Sequence, residues 1–223
     1  MRMIARLILV SAGWLTWSAV AEEGSPLAHR WQTRFDIGGS LPFDAPLTET
    51  GGPVASGREL KLSSGIQFDF AAGYRVTPWL TLEAELGFTD NKVDSVGNWS
   101  YPNSSLSQMA LMANVVVQYP RGRLVPFAGF GAGGVYSGLS FGNYYAYYYS
   151  DSDGYGDDFV AAFQAFGGVR YQFHEQWSVG VVYRFLATGS QNWNVKWWDG
   201  SSFHVGVDSI HVQSISLVVT GSF

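Results

Sequence analysis

The chain has 223 residues, 14% of them charged and 16% aromatic, with 27 glycines, no cysteine and a net charge of −5. The length suits one domain. The missing cysteines exclude a disulfide framework and any Cys-based zinc or redox centre, and the acidic balance argues against a nucleic-acid partner.

In chain order, MRMIAR carries Arg2 and Arg6, the apolar run LILVSAGWLTW comes next, and SAVA closes it with Ala19 and Ala21 in an A-x-A arrangement. This predicts a secretory signal peptide over residues 1–21, cleaved from a barrel domain over 22–223. No later stretch reaches the ~20 apolar residues of a membrane helix. From Trp31 onward the pattern is period two. In WQTRFDIGGSL, Trp31, Thr33, Phe35, Ile37 and Leu41 alternate with Gln32, Arg34, Asp36 and Ser40. In GIQFDFAAGYRV, Ile66, Phe68, Phe70 and Tyr74 alternate with Gln67, Asp69, Gly73 and Arg75. LTLEAELGF sets Leu80, Leu82, Leu86 and Phe88 against Thr81, Glu83, Glu85 and Gly87. Residues 109–119, 127–136 and 159–171 repeat the pattern with more noise. WSVGVVYRF then sets Trp177, Val179, Val181, Tyr183 and Phe185 against Ser178, Gly180 and Arg184, and ISLVVTGSF (215–223) ends the chain. Alternation of this kind is the strand signal, and it predicts eight strands.

Tight turns fall at 76–79, 120–123 and 173–176, and long polar loops at about 42–59, 90–105, 138–156 and 188–208. Short turns on one side and long loops on the other predict an all-β, antiparallel, up-and-down transmembrane barrel with turns in the periplasm and loops outside. A soluble eight-stranded barrel of the lipocalin type has the same parity with its charged face outward. The turn-end aromatics Trp31, Tyr74, Trp79, Tyr119, Phe127, Tyr171, Phe173, Trp177 and Phe223 favour the membrane form, because aromatic girdles mark membrane interfaces. So do the glycines on the polar face, as a narrow lumen requires.

The closing strand, with Phe223 terminal and Gly221, Val219, Leu217 and Ile215 on its face, resembles that of small bacterial outer-membrane barrels of the OmpA-like, OmpX-like and opacity-protein (porin-like) kind. YQFHEQWSVGVVYRF resembles their penultimate hairpin, VPFAGFGAGGVY their glycine-rich fifth strand, and AAGYRVTPWLTLEAELGF their first periplasmic turn. The resemblance implies a Gram-negative outer-membrane location, Phe223 as the signal read by the barrel-assembly machinery, and outer-membrane lipid and lipopolysaccharide as surroundings. With Phe223 as the last residue, the peptidoglycan-binding tail of OmpA-like proteins is not expected.

On the lumen face, Arg34, Arg75, Arg170 and Arg184 match Asp36, Asp69, Glu83 and Glu85 in number. An eight-stranded lumen is just wide enough for side chains to fill it. The reading favoured is a plugging ion-pair network joined by Gln67, Asn114, Gln118 and Gln164, against charges that each keep their own water. His204, near Ser201, Ser202 and Asp208, lacks the His-x-Ser-Asn pattern of lipid A deacylase barrels, so no catalytic residue is assigned. DSDGYGDD (151–158) begins like a calcium loop, but Tyr155 and Ala162 stand where ligands belong, so no metal or other cofactor is expected. The loop residues Tyr144, Tyr145, Tyr147, Tyr148, Tyr149, Trp193, Trp197 and Trp198 divide between an interface girdle and a surface that recognises an extracellular protein or surface ligand. The sequence therefore points to a non-enzymatic, plugged barrel acting in envelope structure or surface interaction, with a small channel as the alternative.

Overall fold

Alternating side chains suit a sheet with two different faces, and in a membrane such a sheet must close on itself, because lipid offers no partner to an unpaired edge. A computed structural model of the chain describes residues 30–50, 58–120, 122–142, 154–196 and 200–223. Its strands are β1 (Trp31–Pro42), β2 (Ala45–Thr50), β3 (Glu59–Thr77), β4 (Leu80–Val96), β5 (Trp99–Gln118), β6 (Leu124–Phe141), β7 (Gly154–Gln172), β8 (Trp177–Thr188), β9 (Gln191–Lys196), β10 (Ser202–Val207) and β11 (His211–Ser222). All pairings are antiparallel.

Eight strands close a ring. β1 pairs with β3, each strand from β3 to β8 pairs with the next, β8 pairs with β11, and β11 returns to β1. The closing seam reaches the last residue, where the Phe223 amide donates to Trp31 O at 2.8 Å and the Trp31 amide donates back at 3.1 Å. The turns at one end are tight. Pro78–Trp79 joins β3 to β4, Gly122 takes a positive φ of 78° between β5 and β6, and His174 and Trp177 exchange backbone bonds between β7 and β8.

The two faces settle the choice between a soluble and a membrane barrel. Arg34 is 3% exposed and Asp36 0%, both inside, whereas Phe130 is 65% and Leu217 61% exposed on the outside. A band of outward Phe, Ile, Leu and Val runs round the ring. That much contiguous apolar surface is untenable in water and is what a lipid-facing wall requires. The turn-end aromatics stand outside, as the sequence predicts, with one correction. Phe127 is buried in the lumen, because on β6 it shares the inward parity of Gly129 and Gly131.

The long-loop side departs from expectation more strongly. Residues 90–105 are not a loop: β4 and β5 continue to Val96 and Trp99 and turn at Gly97, which has a φ of +60°. The stretches 42–59 and 188–208 contain β2, β9 and β10, and these three are laid edge to edge. β3 pairs with β2, β2 with β10, β10 with β9, and β9 with β7. Above the ends of β1 and β8, and before the start of β11, the wall is thus carried on by β2, β10 and β9. With the upper parts of β3 to β7 they form a second ring on the first. Asp158 ties it down, its Oδ2 accepting from the Asn192 amide at 2.7 Å.

The upper ring is lined with apolar side chains. Leu47, Leu60, Leu106, Leu139, Phe141, Trp193, Val195 and Val205 are all buried in one cluster. On β3 the switch is visible within a single strand: Leu60 and Leu62 point inward, a bulge lies between Leu62 and Gly65, and Gln67 and Asp69 then point inward on the opposite parity. A bulge adds one residue to one strand and so exchanges its faces. At Gly65 a β-carbon would stand 1.9 Å from the Asp90 carbonyl, so this close approach needs glycine.

Candidate functional site

The barrel interior is built in layers, each supplied by inward positions of neighbouring strands. In the middle layer, Arg34 and Asp36 come from β1, Asp69 from β3, Glu83 and Glu85 from β4, Asn114 from β5, Gln164 from β7 and Arg184 from β8. Glu85 is the hub. It accepts from the guanidinium groups of Arg34 and Arg184, from Asn114 Nδ2 at 3.0 Å and from Gln164 Nε2 at 2.9 Å. Arg184 also reaches Asp36 at 3.0 Å and Asp69 at 3.5 Å, and Arg34 lies 3.3 Å from Glu83 and 3.6 Å from Asp36. Gln164 links Arg184 (2.9 Å) to Asn114 (2.7 Å), and Gln67 donates to Asp69 at 2.7 Å. Phe166 completes the layer. Its ring lies 4.7 Å from the Arg34 guanidinium and 5.3 Å from that of Arg184, so this inward aromatic of β7 is a cation–π partner of both.

Glycines make the room. A β-carbon on Gly131 would lie 1.9 Å from Asn114 Oδ1, one on Gly87 2.5 Å from Asp69 Oδ1, and one on Gly129 2.5 Å from the Phe166 ring.

Six of the eight charges proposed from sequence are brought together here. Arg75 and Arg170 are not. Among the described residues neither forms an ion pair, because both lie nearer the turns than any carboxylate of the lattice. Arg170 donates to Gln118 Oε1 and to Thr220 Oγ1 (3.2 Å) and stacks 4.9 Å from the Phe127 ring. Arg75 donates to Ser222 Oγ at 3.4 Å. Both line a cavity of about 320 Å³ at the turn end of the barrel.

The proposed loop surface changes as well. Trp193 is 0% exposed, because β9 is part of the upper ring and Trp193 faces its core, its indole donating to Ser137 Oγ at 3.1 Å. Tyr144, Tyr145, Tyr147, Tyr148, Tyr149, Trp197 and Trp198 lie outside the described residues. His204 stands half-buried on β10 opposite Asn194. His211 is on the outer surface, stacked 5.7 Å from Phe185 with Phe43 on its other flank at 6.5 Å.

A family model described as outer membrane protein beta-barrel domain matches residues 12–219. The chain belongs to that family. No curated protein matches the sequence of this outer-membrane barrel, but solved structures share its fold. OprG from Pseudomonas aeruginosa is 15% identical with a TM-score of 0.58, covering 86% of this chain and 96% of its own. Neisserial surface protein A is also 15% identical, with a TM-score of 0.56 and coverage of 86% and 97%. AlkL, determined in lipid bilayers, is 18% identical with a TM-score of 0.51, covering 91% and 94%. The outer-membrane barrel shares with these an architecture. Its layered interior, charged below and apolar above, is read from its own residues.

Proposed function

We propose that this outer-membrane barrel is a non-conducting, non-enzymatic surface protein that holds its long-loop tips above the membrane on a rigid pedestal. One observation carries the reading: the lumen is filled at two levels of opposite chemistry. An ion would have to break the lattice around Glu85 and then cross the apolar core around Trp193 and Phe141. Either alone is costly, since unpairing a buried charge costs about 3–5 kcal/mol and an apolar constriction gates by excluding water.

On this reading Tyr144, Tyr145, Tyr147, Tyr148, Tyr149, Trp197 and Trp198 serve recognition of an extracellular protein or surface ligand, with lipopolysaccharide and membrane lipid against the wall. The segment before residue 22 directs export, and Phe223 presents the barrel to the assembly machinery. Its ring packs edge-on to Trp177 at 6.1 Å, beside the closing seam. The pure protein in planar bilayers should give no steady conductance; stable ohmic steps would refute the closed lumen. The channel alternative draws on the polar cavity at the turn end and predicts those steps.

A further inference from the structure

The cavity at the turn end has a composition unlike the rest of the lumen. It holds two guanidinium groups, Arg75 and Arg170, and neutral partners for them: Gln118, Thr220 and Ser222. Gln32 adds an amide, donating to Ser222 Oγ at 3.3 Å. Arg170 is 6% exposed, yet its Nε has no hydrogen-bond partner, and the buried Nε of Arg75 has none either. Of the carboxylates deeper in the lumen, Glu83 lies 3.3 Å from Arg34 and Asp69 3.5 Å from Arg184; Glu83 also attracts Arg170, from beyond ion-pair distance. Among the described residues, the one carboxylate lining the cavity belongs to Glu175, on the exposed turn at its rim.

Two like charges line one concave site, and among the described residues no carboxylate stands within ion-pair distance of either. Guanidinium forks match the oxygens of phosphate and carboxylate. At about 320 Å³ the cavity sits at the lower end of small-molecule sites and admits a tetrahedral oxyanion with its remaining hydration. The ion lattice closes it from above, so the ligand enters and leaves from the periplasmic side. We propose that this vestibule binds a phosphate-class oxyanion, free or carried on a lipid headgroup, between Arg75 and Arg170.

The test uses the full barrel folded in non-ionic micelles and follows the arginine Nε–Hε NMR signals. Inorganic phosphate, exchanged for chloride at constant ionic strength, should move Arg75 and Arg170 saturably and together while Arg34 and Arg184 stay in place. R75Q and R170Q, each shown folded by gel mobility, should weaken the affinity about tenfold or more, the loss expected on removing a charge-assisted bond. Phosphatidylglycerol doped into the micelles is the second arm. A shift with it and none with phosphate assigns the headgroup form. Absence of a saturable shift in the wild-type barrel with both probes overturns the proposal, whatever the variants do, and so does an undiminished affinity read on Arg170 in R75Q and on Arg75 in R170Q.

Discussion

Replacing Glu85 by Gln keeps the shape of the hub and removes its charge. Four side chains donate to Glu85, two of them arginines. Were the lumen a wet pore, these would be solvent-screened pairs worth about 0–1 kcal/mol. Buried as they are, loss of one partner should cost about 3–5 kcal/mol. The lattice decides where in that range the variant falls. It holds four carboxylates and two guanidinium groups, so E85Q relieves an acidic excess, and Arg34 and Arg184 keep Asp36, Glu83 and Asp69 as partners. E85Q should therefore cost about 3 kcal/mol. R184Q, which leaves four carboxylates to Arg34 alone, should cost about 5 kcal/mol. The double variant should cost clearly less than the sum, because the two changes remove parts of one interaction. Reversible denaturant unfolding in lipid vesicles, followed by tryptophan fluorescence and gel mobility, measures all three. Single-variant costs under about 1 kcal/mol, or additive costs in the double variant, would refute a dry, paired lattice.

Trp193→Ala should cost about 3–5 kcal/mol by emptying the upper core, whereas Trp193→Phe should lose only about 1 kcal/mol with the indole bond to Ser137; the same unfolding assay separates them, and equal small losses would put Trp193 at the surface. Gly131→Ala should cost about 1–3 kcal/mol through overpacking against Asn114, measured the same way, and should be partly relieved by adding Asn114→Ala. Phe223→Ala should fold in vitro but reach the outer membrane in reduced yield, read by fractionation of expressing cells. Excising residues 144–149 should leave the melting temperature unchanged, whereas excising 190–206, which contains β9 and most of β10, should abolish the folded band on a gel.

Much of this architecture was legible in the chain. Period two identified the membrane-spanning strands, the turns at Pro78, Gly122 and His174 gave their direction, and parity placed Arg34, Asp36, Asp69, Glu83, Glu85 and Arg184 on one face. Gln67, Asn114, Gln118 and Gln164 were named as its joining residues and bond as expected, Gln118 to Arg170 rather than to the lattice. Parity reports which side of a sheet a residue faces, and that is a local property of the pleat. Height along the barrel axis is not local. It depends on the register between strands distant in sequence, and register separates Arg75 and Arg170 from the carboxylates and brings Phe166 against two guanidinium groups. The upper ring was hidden for a related reason. A bulge exchanges the faces of β3, and beyond the lipid belt an apolar side chain is buried by pointing inward rather than outward. The same pattern, read with the membrane rule, made loops of β2, β9 and β10 and put Trp193 outside. Period two in the chain determined that this protein is a membrane barrel with a charged lumen. Only the closed ring, by fixing which strands meet and at what height, decided that the lumen is filled at two levels of opposite chemistry and that two arginines stand apart at its turn end.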